Sequence, residues 1–181
     1  MKLLAILLFI TSLSSAQIQD YEFIKKNLLN DIIRQEAFNK RETFVVTKID
    51  SVNVEHLLKL MLEKPYITNS DFQNKDLILT GEELQYLSKR LREQYQDEWK
   101  EEDFSNRKLI HKSDILACLD KDMSNQVIMI SNPIYIKTDN TAFIYLANLC
   151  CCTGYGSSSL ALYSMKDGVW KKSFEIVEDN Y

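Results

Sequence analysis

Thr141-Ala142-Phe143-Ile144-Tyr145-Leu146-Ala147-Asn148-Leu149, followed by Ser158-Ser159-Leu160-Ala161-Leu162-Tyr163-Ser164-Met165 and Val169-Trp170-Lys171-Lys172-Ser173-Phe174-Glu175-Ile176-Val177, decides the fold. The first and last runs are rich in β-branched and aromatic residues, and in each run large apolar residues recur at every second position, the period of a strand. Phe143, Tyr145, Ala147 and Leu149 share one face of the first run, and Leu160, Leu162 and Ser164 share one side of the second. Lys166-Asp167-Gly168 joins the last two runs, and Asp-Gly is a favoured two-residue hairpin turn because both positions tolerate positive φ. The three runs therefore predict an antiparallel meander. Upstream, Gln126 to Ser131 reads as a further strand. Pro133 to Lys137 reads as another strand or as its bent continuation, with a turn at Asp139-Asn140.

The first two thirds of the chain have a different period. Tyr21, Ile24, Leu28 and Ile32 recur at helical spacing, widened by Leu29 and Ile33, and predict a helix from Asp20 to about Ala37. Thr43 to Ile49 is β-rich. Val54 to Lys64 predicts a second helix, capped by Asn53 and ended by Pro65. Leu77 to Leu79 is a short apolar run with the character of a brief strand. Thr80-Gly81-Glu82-Glu83 has the capping-box spacing, and Leu84, Leu87, Leu91, Tyr95 and Trp99 extend an apolar stripe, so a helix from Gly81 to about Lys100 is expected. A helical turn over Ser113 to Leu119 completes the set. Helices early and antiparallel strands late give an α+β domain, with the N-terminal helices packed on a C-terminal antiparallel meander of four to five strands. Residues 20–119 are its helix-rich part and 126–177 its strand-rich part.

The N-terminus carries an address. Met1-Lys2 is basic, Leu3 to Leu13 is almost wholly apolar, and Ser14-Ser15-Ala16 places small residues at −3 and −1 of a cleavage site. Eleven residues in a helix rise only about 16 Å, roughly half a hydrocarbon core. The expectation is a signal peptide over residues 1–16 and a single exported domain over 17–181, periplasmic or extracellular. No Cys sits just after the apolar run, no later segment has the length of a membrane span, and no Asn-x-Ser/Thr acceptor occurs. A soluble product with neither lipid anchor nor membrane span is expected.

The full chain has 181 residues, 27% of them charged, and a formal net charge of −4. Losing Lys2 with the leader makes the mature charge about −5. No dense basic cluster provides a nucleic-acid footprint. With only four Gly and two Pro, long flexible linkers are not expected.

The C-terminal pattern resembles a group of small exported Bacteroidetes proteins of unknown function. The resemblance rests on Pro133-Ile134-Tyr135, Ala142-Phe143-Ile144-Tyr145, Cys150 to Cys152 with Gly154 and Gly156, Ser159-Leu160-Ala161-Leu162-Tyr163, and Gly168-Val169-Trp170-Lys171. It spans about the last third of the chain. The group spreads its Cys and Gly more widely around this loop, whereas here three Cys are consecutive. The resemblance implies an exported α+β domain and no particular activity.

Four cysteines, Cys118, Cys150, Cys151 and Cys152, lie in the mature chain. An even count in an oxidising compartment suggests disulfides. Adjacent cysteines rarely bridge each other, so Cys118 is expected to bond into the run, with Cys151 the preferred partner. That bond would close a loop of about 33 residues, worth about 3–4 kcal/mol in the chain-entropy model. Cys150 and Cys152 are then left as thiols or as a tight second bridge. A zinc site fits poorly, because such sites need Cys-x-x-Cys spacing and a second ligand pair. A nucleophilic thiol would need His56 or His111 as its base.

Other motifs fall short. Asp120 to Asn125 opens like a calcium loop, but Asn125 stands where Gly is required and Ser131 where the bidentate Glu belongs. Gly154 to Ser159 lacks the third Gly and following helix of a phosphate loop. The acidic run Glu98, Glu101, Glu102 and Asp103 reads as a solvated face. No catalytic, metal-ligating or cofactor-binding residue is assigned. The aromatic set Tyr135, Tyr145, Tyr155, Tyr163 and Trp170 is core if helices cover the sheet, and a binding surface for peptide or sugar if they do not. The leading expectation is a non-enzymatic binding or interaction protein with a protein, peptide or glycan partner. An envelope hydrolase or thiol-active enzyme, and an inhibitor-like structural protein, are the alternatives.

Overall fold

The computed structural model describes residues 22, 24–36, 42–63, 66–67, 77–104, 107–122, 125–136, 141–150 and 156–179. The chain runs as helix α1 (24–36), β1 (Thr43–Val46), α2 (Ser51–Glu63), β2 (Tyr66–Ile67), β3 (Leu77–Ile78) and α3 (Gly81–Glu93). Then follow β4 (Lys108–Ile110), α4 (Ile115–Lys121), β5 (Gln126–Ile130), β6 (Ile134–Tyr135), β7 (Thr141–Cys150), β8 (Gly156–Lys166) and β9 (Val169–Asp179). The class is α+β.

Among the described residues the main sheet has seven strands, not four to five. Its order is β4-β1-β5-β7-β8-β9, with β6 on β7. It is also not purely antiparallel, since β1 pairs in parallel with both β4 and β5. The added strands come from the helix-rich part of the chain. β2 and β3 form a separate two-stranded hairpin. From β5 onward every pairing is antiparallel, with β7 opposite β8 from Thr141↔Ser164 to Leu149↔Gly156. Asp167 and Gly168 both have positive φ, 53° and 75°, as a primed hairpin turn demands.

Helices pack on both faces of the sheet. On one face Phe44, Val46, Val127, Met129, Phe143, Tyr145, Leu160 and Phe174 pack against Val54, Leu57, Leu58 and Met61 of α2 and Leu87 and Leu91 of α3. On the other, Val45, Ile128, Ile130, Ile144, Ala161, Tyr163 and Trp170 pack against Leu28, Leu29, Ile32 and Ile33 of α1. These four residues of α1 are at most 1% exposed, and Ile24 packs partly buried against the same cluster. Such alternation along β1, β5 and β7 is what a strand buried on both sides requires.

Two helix ends differ from expectation. α2 starts at Ser51, and Asp50 supplies its cap in place of Asn53: the Asp50 carboxylate accepts from the Val52 amide at 3.0 Å. α3 keeps its capping box, Thr80 Oγ1 accepting from Glu83 N at 3.2 Å and Glu83 Oε2 from Thr80 N at 2.8 Å. It stops at Glu93, however, and passes through a 3-10 turn (Gln94–Gln96) into extended backbone. Continuing the helix would set Asp97 and Glu98 at its negative C-terminal end. Trp99 instead crosses to the α1 face, where its indole donates to the Ile130 carbonyl at 2.8 Å and its ring meets Phe104 edge-on at 4.9 Å.

The β8–β9 register shifts between Leu162 and Tyr163, where Leu162 faces Phe174 and Tyr163 faces Lys172. Ser173 is the extra residue, and its hydroxyl donates to the Leu162 carbonyl at 3.0 Å. In a regular strand, residues three apart point to opposite faces. The bulge brings Lys172 and Glu175 to the same face, with Nζ and Oε1 2.8 Å apart.

Candidate functional site

A groove of about 680 Å³ lies between α4 and the β1–β4 edge of the sheet. β1 contributes Phe44, with Glu42 just before it, β4 contributes Lys108 and Ile110, and α4 contributes Ala117, Cys118 and Lys121. Its base is apolar because Phe44 and Ile110 alternate inward from adjacent parallel strands. Its rim is charged. Lys108 reaches Glu42 at 3.0 Å and lies 5.7 Å from the centre of the Phe44 ring. Asp114, Asp122 and Lys121 add two negative charges and one positive.

Cys118 is a free, half-buried thiol on the groove wall. Burial pushes its pKa up, the Glu42 carboxylate adds to the rise, and Lys121 and Lys108 only partly oppose it. The thiol is therefore held in its protonated, poorly nucleophilic form at neutral pH. Neither histidine lines this groove. His111 directly follows β4 and is exposed, with Nδ1 3.5 Å from Thr47 Oγ1. His56 lies on the exposed side of α2. The thiol–histidine pairing weighed from sequence is thus not assembled in the groove.

The carboxyl ends of β1 and β4 hold a second polar cluster. Lys48 pairs with Glu98 at 2.9 Å, and Lys112 pairs with Asp50 at 2.6 Å. The Lys48 ammonium holds the Glu98 carboxyl below its usual range. Asp50 also caps α2, so this carboxylate already satisfies the helix N-terminus. Among the described residues, no group of three or more His, Cys, Asp or Glu side chains is placed to hold a metal ion.

The aromatic set separates across the sheet. Tyr145 is fully buried under α2 and α3, whereas Tyr163 and Trp170 are buried beneath α1. Tyr135 is half-buried at the margin of the α1-side cluster, and Tyr155 lies outside the described residues. Tyr145, Tyr163 and Trp170 form no shared binding face, because strand alternation sends Tyr145 to the side opposite Tyr163 and Trp170 and each side has its own helix cover. Burial pushes the Tyr163 phenol pKa far up, and the charges of Glu36 and Glu175 add to the rise.

Cys150 ends β7, while Cys151 and Cys152 lie outside the described residues, as do Gly154 and Tyr155. From the phosphate-loop-like segment, Gly156 to Ser159 opens β8 and meets no helix N-terminus. In the calcium-loop-like segment Asp120 is exposed on α4, and Asn125 N donates to the Asp122 carbonyl while Asn125 Nδ2 donates to the Cys118 carbonyl. These bonds build a helix-to-strand turn.

Two polar clusters escape a reading by sequence. Lys172 bridges Glu36 at the end of α1, at 3.1 Å, and Glu175 of β9. Arg92 of α3 holds Glu55 of α2 through two bonds, 2.7 and 2.8 Å, and Tyr95 donates to the same carboxylate at 2.9 Å. The Arg92 bond holds the Glu55 carboxyl below its usual range, while burial and then Glu55 push the Tyr95 phenol up. The only local signal was the 92/95 helical spacing, which does not identify Glu55. Comparison with known families, with curated proteins and with solved structures found no match.

Proposed function

We propose that this chain is an exported domain that works by binding a protein, peptide or glycan partner, and that the groove between α4 and the β1–β4 edge is where the partner is held. The groove carries this reading: it pairs an apolar base at Phe44 and Ile110 with a charged rim at Lys108, Lys121 and Asp114. Such a combination suits a few orienting polar contacts around a dry anchor. The raised pKa of Cys118 weighs against a thiol-active enzyme. Export rests on the basic, apolar and small-residue order of residues 1–16. In the oxidising compartment Cys118 bonds to Cys151. In support, Asn125 donates to the Cys118 carbonyl, and its neighbour Gln126 pairs with Cys150 in the sheet.

The test is a photo-reactive side chain placed at Ala117 on the groove wall, with Tyr86 on α3 as the control position, in cells that make the protein. Both sites are exposed. Covalent adducts are expected from position 117 and not from 86, and charge reversal at exposed Lys121 on the rim, Lys121→Glu, should weaken them while leaving the thermal unfolding transition in place. Adducts from neither position, or equally from both, would remove the groove as the binding site. N-terminal sequencing of the exported chain should begin at Gln17; a product that keeps residues 1–16 and stays in the cytoplasm would overturn export.

A further inference from the structure

No further inference is drawn: the strongest candidate, the polar cluster beneath the end of α1 where the buried Tyr163 hydroxyl and Gln126 amide oxygen have no hydrogen-bond partner among the described residues, carries nothing because nothing in the structure shows what would meet these two atoms.

Discussion

Lys172→Met tests how α1 is fastened to the sheet. Lys172 and Glu36 are each 22% exposed in their side chains, and the same ammonium serves Glu175. Methionine keeps most of the aliphatic stem but leaves two half-buried carboxylates without their cation. Breaking a fully buried pair costs about 3–5 kcal/mol, because one charge is stranded in a poor solvent. An exposed pair is worth about 0–1 kcal/mol. With roughly a fifth of each side chain open to water, the expected loss is about 2 kcal/mol, read as a lower urea midpoint at an unchanged slope. Glu36→Gln in the Lys172→Met background should recover part of that loss. The double-mutant cycle should give a coupling of about 1 kcal/mol between positions 36 and 172. The pH dependence supplies a second readout. Burial alone would lower the Lys172 pKa, but its bond to Glu175 and the charge of Glu36 outweigh burial and hold it above the ordinary lysine value. A raised folded-state pKa gives stability that is fully present below the unfolded value, about 10.4, and is lost as pH climbs through the folded value. The gap between wild type and Lys172→Met should therefore be constant from neutral pH to about 10 and shrink above it. A coupling within about 0.3 kcal/mol of zero, or a gap that ignores alkaline pH, would mean that Lys172 contributes only its stem.

Three further outcomes are expected. Thr80→Ala should cost about 1 kcal/mol in chemical denaturation, since it removes the hydroxyl that accepts from Glu83 N; a change below a few tenths would show that the cap is replaced by water. Gly156→Ala should destabilise by about 1–3 kcal/mol, because a Cβ there would overlap Leu149 Cδ2; an unchanged melting temperature would mean that Leu149 finds another rotamer at no cost. Non-reducing peptide mapping of exported protein should find Cys118 linked to Cys151, and four free thiols in that material would end the disulfide proposal.

What the sequence disclosed depends on how local each signal is. The β7–β8–β9 meander was legible to within about two residues, because alternation and Asp167-Gly168 act over neighbouring positions. β4 was not. Three residues, Lys108-Leu109-Ile110, are too short to show a period, and their partner Phe44-Val45-Val46 lies more than sixty positions away in parallel pairing. The α3 stripe was legible as far as Tyr95, but Trp99 continues the helical spacing while packing on the opposite face. Tertiary burial overrode the period there. The groove was illegible for the same reason as β4, since its walls come from β1, β4 and α4. Cys118 was singled out from sequence by its chemistry, yet its surroundings, above all Glu42, were not. The bond between Lys172 and Glu175 was hidden by the bulge at Ser173, without which the two would face apart.

The placement of cover over the sheet also narrows where a partner can be met. α1 closes one face, and α2 and α3 close most of the other. The β9 edge carries Lys171 and Lys172, is broken by the Ser173 bulge, and gives its Trp170 carbonyl to Gln35 of α1 at 2.9 Å. These are devices that keep an edge strand from recruiting another strand. At the other edge β4 is only three residues long and begins with Lys108. Pairing by strand addition is thus disfavoured at both edges by the chain's own design. The groove is different, because seven-residue α4 is too short to roof the β1–β4 corner and leaves Phe44 and Ile110 beneath a charged rim. A binding role for this domain therefore points to that corner, with side-chain contacts rather than backbone pairing as the means of recognition.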